Sequence, residues 1–185
     1  MNKLHNFILR ISTWYVWLAF LLGTLAFNVY VMPKAANTLK ASCGENVKIP
    51  DLEIGYTGGE LKGMISFMTE ACRNEYYYIA TVTDSFYPLV YGLFLFFTIV
   101  ILYYKTQVPL SKGKLYVFPI ATILADFAEN LTIGKLLFSK TPSDDYLYHF
   151  ASAFSMMKWF FAIASAVLIL LGIVRWLLHR FQKTA

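Results

Sequence analysis

Seven residues of this chain could do chemistry together, and all seven lie in apolar surroundings where charge is costly. The first group sits in Thr83-Asp84-Ser85-Phe86-Tyr87-Pro88-Leu89-Val90-Tyr91. Asp84, Tyr87, Pro88 and Tyr91 are spaced i, i+3, i+4, i+7, so a helix puts them on one face. Pro88 has no N–H to give to the Asp84 carbonyl, which is left for another partner. The second group is Asp126, Glu129 and Asn130, spaced i, i+3, i+4, with Thr122 one turn earlier. The third is Lys158, followed by Trp159. Small residues near its helical face (Ala151, Ser155, Ala162, Ala166) would let a neighbouring helix come close. Carboxylates, an ammonium and phenols are the groups of acid–base and charge-stabilising chemistry. Glu129 or Asp126 would be the acid or base, Lys158 the electrostatic partner, and Tyr87 and Tyr91 orienting donors. Three carboxylates against one ammonium leave a formal excess of negative charge. Protonation, water, a cation or an amine ligand would resolve it.

The elements that must carry these residues are membrane helices. The composition is 58% apolar and 18% aromatic, with only 15% charged residues, against roughly 25% charged in soluble domains. Four apolar stretches run roughly over 11–31, 86–104, 115–138 and 148–178. Each supplies the roughly 20 residues that cross the hydrocarbon core. Backbone groups cannot stay unpaired in lipid, so each stretch reads as a helix, the second beginning at Asp84. The fold class is therefore an all-α, four-helix membrane bundle in one domain, residues 1–185. The loop over 33–83 lies outside the membrane. The first stretch follows Lys3 and Arg10 but lacks a good cleavage site, so it reads as a retained helix rather than a signal peptide.

Lys and Arg in short flanks set orientation. Lys3 and Arg10 precede the first helix, Lys105, Lys112 and Lys114 fill the link between the second and third, and Arg175, Arg180 and Lys183 follow the fourth. None of these segments holds an acid. Both termini and the 105–114 link should face the cytoplasm, with Trp14, Trp17, Tyr103, Tyr104 and Trp176 forming an aromatic belt there. The expected setting is a bacterial inner membrane. The formal charge of +5 belongs to these flanks and does not indicate a nucleic-acid partner. Counting about 1.5 Å per residue from the basic anchors puts Asp126, Glu129 and Lys158 at about 18, 22 and 25 Å. Tyr91, Tyr87 and Asp84 fall at about 21, 27 and 31 Å, and Asn28 near 26 Å. The polar residues thus share one layer in the outer half of the bilayer.

The outer loop starts polar and reads as irregular. Gly55-Tyr56-Thr57-Gly58-Gly59 is a turn, with Thr57 a helix cap. Leu61, Met64, Ile65, Met68 and Cys72 recur at helical spacing, which predicts one short amphipathic helix lying on the bilayer or over the bundle. Tyr76, Tyr77 and Tyr78 follow at interface depth. The only cysteines, Cys43 and Cys72, could form a disulfide in an oxidising compartment, closing a loop worth about 3 kcal/mol. The other reading is two buried thiols. No metal or cofactor site is expected: the three histidines are scattered, and no GxSxG, HExxH, P-loop or dinucleotide pattern occurs. Asn130-Leu131-Thr132 matches a glycosylation sequon but falls inside a helix.

The ordered set Asp84-x-x-Tyr87-Pro88-Leu89-x-Tyr91-Gly92, Asp126-x-x-Glu129-Asn130 and Lys158-Trp159, with the Gly55-Tyr56-Thr57 turn, resembles a group of poorly characterised bacterial four-helix integral membrane proteins. The similarity covers most of the chain from residue 55 onward. It implies a shared bundle and a shared polar site, and no particular activity. One helix, an outer loop and three more helices also give a layout like claudins and sterol-isomerase-type proteins. The claudin loop signature is absent, and the second likeness is one of architecture alone.

Three functions remain open at this level: binding or processing of a membrane lipid or small amphiphile, a structural or accessory role beside other membrane subunits, and a proton or cation path. The apolar inner halves of the helices give little support to the last.

Overall fold

A computed structural model describes residues 3–44, 48–50, 53–105, 114–139 and 145–184. Lys112 and most of the 105–114 link lie outside the described residues. Every regular element among those described is helical. Helix α1 (Lys3–Ile11) is short and amphipathic. Helix α2 (Trp14–Cys43) follows, then α3 (Gly58–Ser66), α4 (Glu70–Tyr104), α5 (Val117–Phe138) and α6 (Asp145–Thr184). Four of them, α2, α4, α5 and the Asp145–Phe181 stretch of α6, are long and apolar enough to cross a membrane.

Their apolar surface faces outward. The Trp14–Ala26 stretch of α2 contains no buried residue. Along α6, Phe160, Ile163, Leu170 and Val174 are all exposed. Exposed apolar surface on this scale marks an interaction with something other than water.

Two apolar clusters hold the two ends of the bundle. At one end Ile8 of α1 packs with Phe96, Phe97 and Val100 of α4 and with Tyr116. At the other, Leu39, Leu61, Ile65, Cys72, Tyr76, Ile133 and Leu136 join α2, α3, α4 and α5.

Three features differ from the sequence reading. The stretch after Val31 is helix, not irregular loop. Pro33 lies inside this continuous helix just after the join, where it has no N–H to give to the preceding turn, and Gly44 at φ 89° ends the segment. The join is a π-helical turn over Phe27–Val31. The expected single loop helix is two. Thr69 caps a new helix by accepting from Cys72 N, so α3 stops at Ser66 and α4 begins at Glu70. Finally, α4 runs unbroken through Tyr76–Tyr78 into the apolar stretch, by way of another π turn over Ile79–Thr83. Tyr76 is fully buried, whereas Tyr78 is exposed.

Thr57 caps α3 in a full capping box with Glu60. The Thr57 backbone N–H and hydroxyl hold the Glu60 carboxyl below the ordinary carboxylate range. Two contacts fix the ends of this region. Arg73 Nη2 donates to the carbonyls of Leu136, Leu137 and Ser139 at 3.2, 3.4 and 3.2 Å, capping α5. Cys43 and Cys72 form a disulfide, with Cα atoms 4.7 Å apart, tying the end of α2 to the start of α4. Replacing both cysteines by alanine should lower stability by about 3 kcal/mol on the chain-entropy account. Unfolding of the wild type with and without reductant checks this. The same loss should appear on reduction and be absent from the variant.

Candidate functional site

Helix α5 is the hub because Asp126, Glu129 and Asn130 between them reach α4, α6 and the turn before α3. Glu129 is 0% exposed. Its Oε2 lies 2.6 Å from Lys158 Nζ of α6, and its Oε1 accepts from the Tyr56 hydroxyl at 2.8 Å. Asp126 Oδ2 accepts from the Tyr91 hydroxyl of α4 at 2.6 Å, while Oδ1 is 3.6 Å from Lys158 Nζ. Lys158 therefore lies between two carboxylates, much closer to Glu129, and each carboxylate also holds a tyrosine. Asn130 Nδ2 donates to Asp84 Oδ2 at 3.0 Å and reaches the Asp84 carbonyl at 3.4 Å. That carbonyl is the one that Pro88 releases from the helical ladder.

Every sequence-derived site residue thus falls in one connected region. Asp84, Asp126, Asn130 and Lys158 are all buried. Tyr87 takes another direction: its hydroxyl donates to Asn28 Oδ1 of α2 at 3.2 Å, and its ring centroid is 4.9 Å from that of Tyr91. Thr122 is buried, but its hydroxyl donates to the Phe118 carbonyl of its own helix.

Sequence reading missed Tyr56 as a site residue. Gly55, at φ 85°, turns the chain so that Tyr56 enters the bundle just before the α3 capping box. Ser152 of α6 donates its hydroxyl to the Tyr56 carbonyl, and Trp159 Nε1 donates to the Glu53 carbonyl at 3.1 Å. The turn is therefore fastened to α6 at two points, Glu53 and Tyr56 itself. Gly58 lies against His149 so closely that a Cβ there would come within 2.7 Å of Nδ1. Lys62 also reaches α6, pairing with Asp145 at 2.7 Å, although both groups are well exposed and such a pair adds little.

A cavity of about 420 Å³ opens beside this network. Asp84, Tyr87, Tyr91, Asp126 and Lys158 line one part of it. Asn28 of α2 also lines it, and the rest is mainly apolar: Met32, Ala35, Ala36 and Leu39 of α2, Ile49, Ile79 and Leu95, and Trp159 and Ala162 of α6. Helix α2 packs along α4, and α4 and α5 pack on α6, but α2 makes little contact with α6. The cavity occupies that gap. On α4 its wall runs from Ile79 to Leu95, about 24 Å of helix. A long slot whose polar groups, from several helices, occupy part of its lining suits an elongated molecule with one polar end, and its volume falls in the usual range for small-molecule pockets. Among the described residues no group of His, Cys, Asp and Glu is arranged to hold a metal ion.

Compared with family models, curated proteins and solved structures, the chain matches none.

Proposed function

We propose that this is a multi-pass membrane protein that binds or processes a lipid or small amphiphile in the slot between α2 and α6. The cavity carries this reading: its charged groups are Asp84, Asp126 and Lys158, joined by Asn28, Tyr87 and Tyr91, and the rest of its wall is mainly apolar. The head of the ligand lies against the acid–lysine–tyrosine network and its chain lies along Leu39, Ile79, Leu95 and Ala162. The meagre contact between α2 and α6 gives a lateral way in from the bilayer, so the ligand need not cross water. In this reading the basic flanks, both termini and the 105–114 link face the cytoplasm, as the positive-inside rule requires. The site then lies in the outer half of a bacterial inner membrane, beneath α3 and the disulfide. If the ligand is transformed, Asp126, which lines the slot, is the proton-carrying candidate, Glu129 acts through Lys158, and Lys158 is the group that stabilises negative charge.

Filling the slot tests this. Ala36→Trp and Ala162→Trp place bulk on its apolar walls and leave the charged side chains in place. Wild-type protein extracted in mild detergent should retain a stoichiometric amphiphile, detected by mass spectrometry of organic extracts. Each variant should retain about tenfold less or lower, as overpacking removes the space the chain needs. Equal lipid content in wild type and both variants, with unchanged melting, would defeat the proposal and favour an accessory role in a larger complex.

A further inference from the structure

We propose that the end of the bundle built from α1, the end of α4 and the last turns of α6 is a docking surface for anionic phospholipid headgroups. In it α1 is an interfacial helix, with Phe7 and Ile11 entering the bilayer. The proposal needs the four long helices to be membrane spans and is independent of the slot and its ligand.

Helix α1 has only nine residues, too few to cross a membrane. A break at Ser12 and Thr13, where Thr13 caps α2, separates it from the first span. At 3.6 residues per turn it has three faces. Ile8 is buried against Phe96, Phe97 and Val100, and His5, on the same side, meets the Tyr104 ring edge-on at 5.2 Å. Phe7 and Ile11, one turn apart, form a second face and are 59% and 36% exposed. Lys3, Asn6 and Arg10 form the third, and all three are exposed. The bundle thus covers only the first face. An apolar face beside a basic one is the pattern of a helix at the boundary of headgroups and acyl chains.

Other helix ends bring the same charge to this place. The Leu115 N–H donates to the Tyr104 hydroxyl at 3.3 Å, which puts Lys114 near the end of α4. Tyr103 donates its hydroxyl to the Leu168 carbonyl, and Gly172 lies against the Tyr103 ring, one turn before Arg175. Lys3, Arg10, Lys114, Arg175 and Arg180 therefore gather at one end of the molecule. No Asp or Glu occurs in residues 1–44, 85–125 or 146–185, so every acid of the chain belongs to other segments. Aromatic rings accompany the charges. Arg180 lies 4.9 Å from the Trp176 ring centroid, and Trp14 and Tyr15, both exposed, pack on each other just after the break. Such rings settle at headgroup level. An acidic soluble partner would answer the basic side chains alone. An anionic leaflet answers both: its phosphates meet the basic face and its chains meet Phe7 and Ile11.

The experiment compares heads on constant tails. Delipidated protein in an uncharged maltoside detergent is titrated with dioleoylphosphatidylglycerol and with dioleoylphosphatidylcholine, and binding is read by native mass spectrometry. The anionic lipid should bind about tenfold more tightly at low ionic strength, and the preference should shrink as salt is raised. The triple variant Arg10→Gln, Arg175→Gln, Arg180→Gln should lose most of that preference, whereas Lys34→Gln with Lys40→Gln, on the far part of α2, should keep it. Equal binding of the two lipids by the wild type, or a preference that survives the triple variant, overturns the docking surface. Spin labels on Asn6→Cys and Phe7→Cys test α1 singly, in vesicles of the same two lipids. The label at position 7 should be open to oxygen and shielded from an aqueous nickel chelate, and the label at position 6 the reverse. Both labels open to the chelate overturns the interfacial helix and favours an acidic soluble partner instead.

Discussion

Lys158→Met should destabilise the bundle by about 3–5 kcal/mol, because it leaves two buried carboxylates without their cation. The geometry sets the size of the effect. Lys158 is 7% exposed, Asp126 4% and Glu129 0%, so neither acid can turn to water when the ammonium is gone. Tyr56 and Tyr91 would still donate to them, at 2.8 and 2.6 Å, but a neutral hydroxyl cannot replace a charge. The variant has one recourse, to take up protons. Its deficit should therefore shrink as pH falls through the range where the acids protonate, since the penalty belongs to their ionised forms. Adding Glu129→Gln should recover much of the loss at neutral pH, because the pair at 2.6 Å is then removed as a pair. Denaturant unfolding in detergent at several pH values measures all three quantities. If the single and double variants are equally stable, or Lys158→Met costs nothing, Lys158 is not the counter-ion of Glu129.

That network was partly legible in the sequence because its components on each helix are local. Asp126, Glu129 and Asn130 share a face by spacing alone, and so do Asp84, Tyr87 and Tyr91. What spacing cannot carry is a pairing between distant segments. Tyr56 reaches Glu129 across 73 residues, and nothing in its own neighbourhood, a glycine turn and a helix cap, announces a buried hydroxyl. The role of α2 was hidden for another reason. After Val31 the chain turns polar, which reads as departure from the membrane. Yet Met32, Ala35, Ala36, Leu39 and Cys43 keep a helical period, and four of them line the cavity. The period persists where the mean hydropathy falls, because only one face of that segment is covered. The break between α3 and α4 also left a trace, Thr69 followed by Glu70, which is a cap signal inside an otherwise continuous apolar pattern.

Gly92→Val tests whether the spacing of helices, as well as their polar groups, holds the site together. Gly92 is buried on α4 where α5 crosses it, and a Cβ at that position would run into the Ile123 side chain from its Cγ1 outward. Ile123 is itself 9% exposed and has little room to retreat. Small residues at such crossings let two backbones approach, and overpacking them costs about 1–3 kcal/mol, more where branching adds bulk. The consequence for the site is direct. Tyr91 is the neighbour of Gly92, and Asp126 is one turn from Ile123, so separating the helices pulls on the 2.6 Å bond between them. Gly92→Val should lose stability and ligand retention together. Ile123→Ala should cost about 2–5 kcal/mol alone by leaving a void. Combined with Gly92→Val it should cost less than the sum of the two, with a coupling of about 0.5–3 kcal/mol. Gly63→Ala is the control: its Cβ would meet nothing within 4 Å, so in a helix it should be neutral or stabilise by up to about 1 kcal/mol. Strict additivity at positions 92 and 123 would mean that the crossing is loose, and the close packing that brings Tyr91 to Asp126 would need another cause.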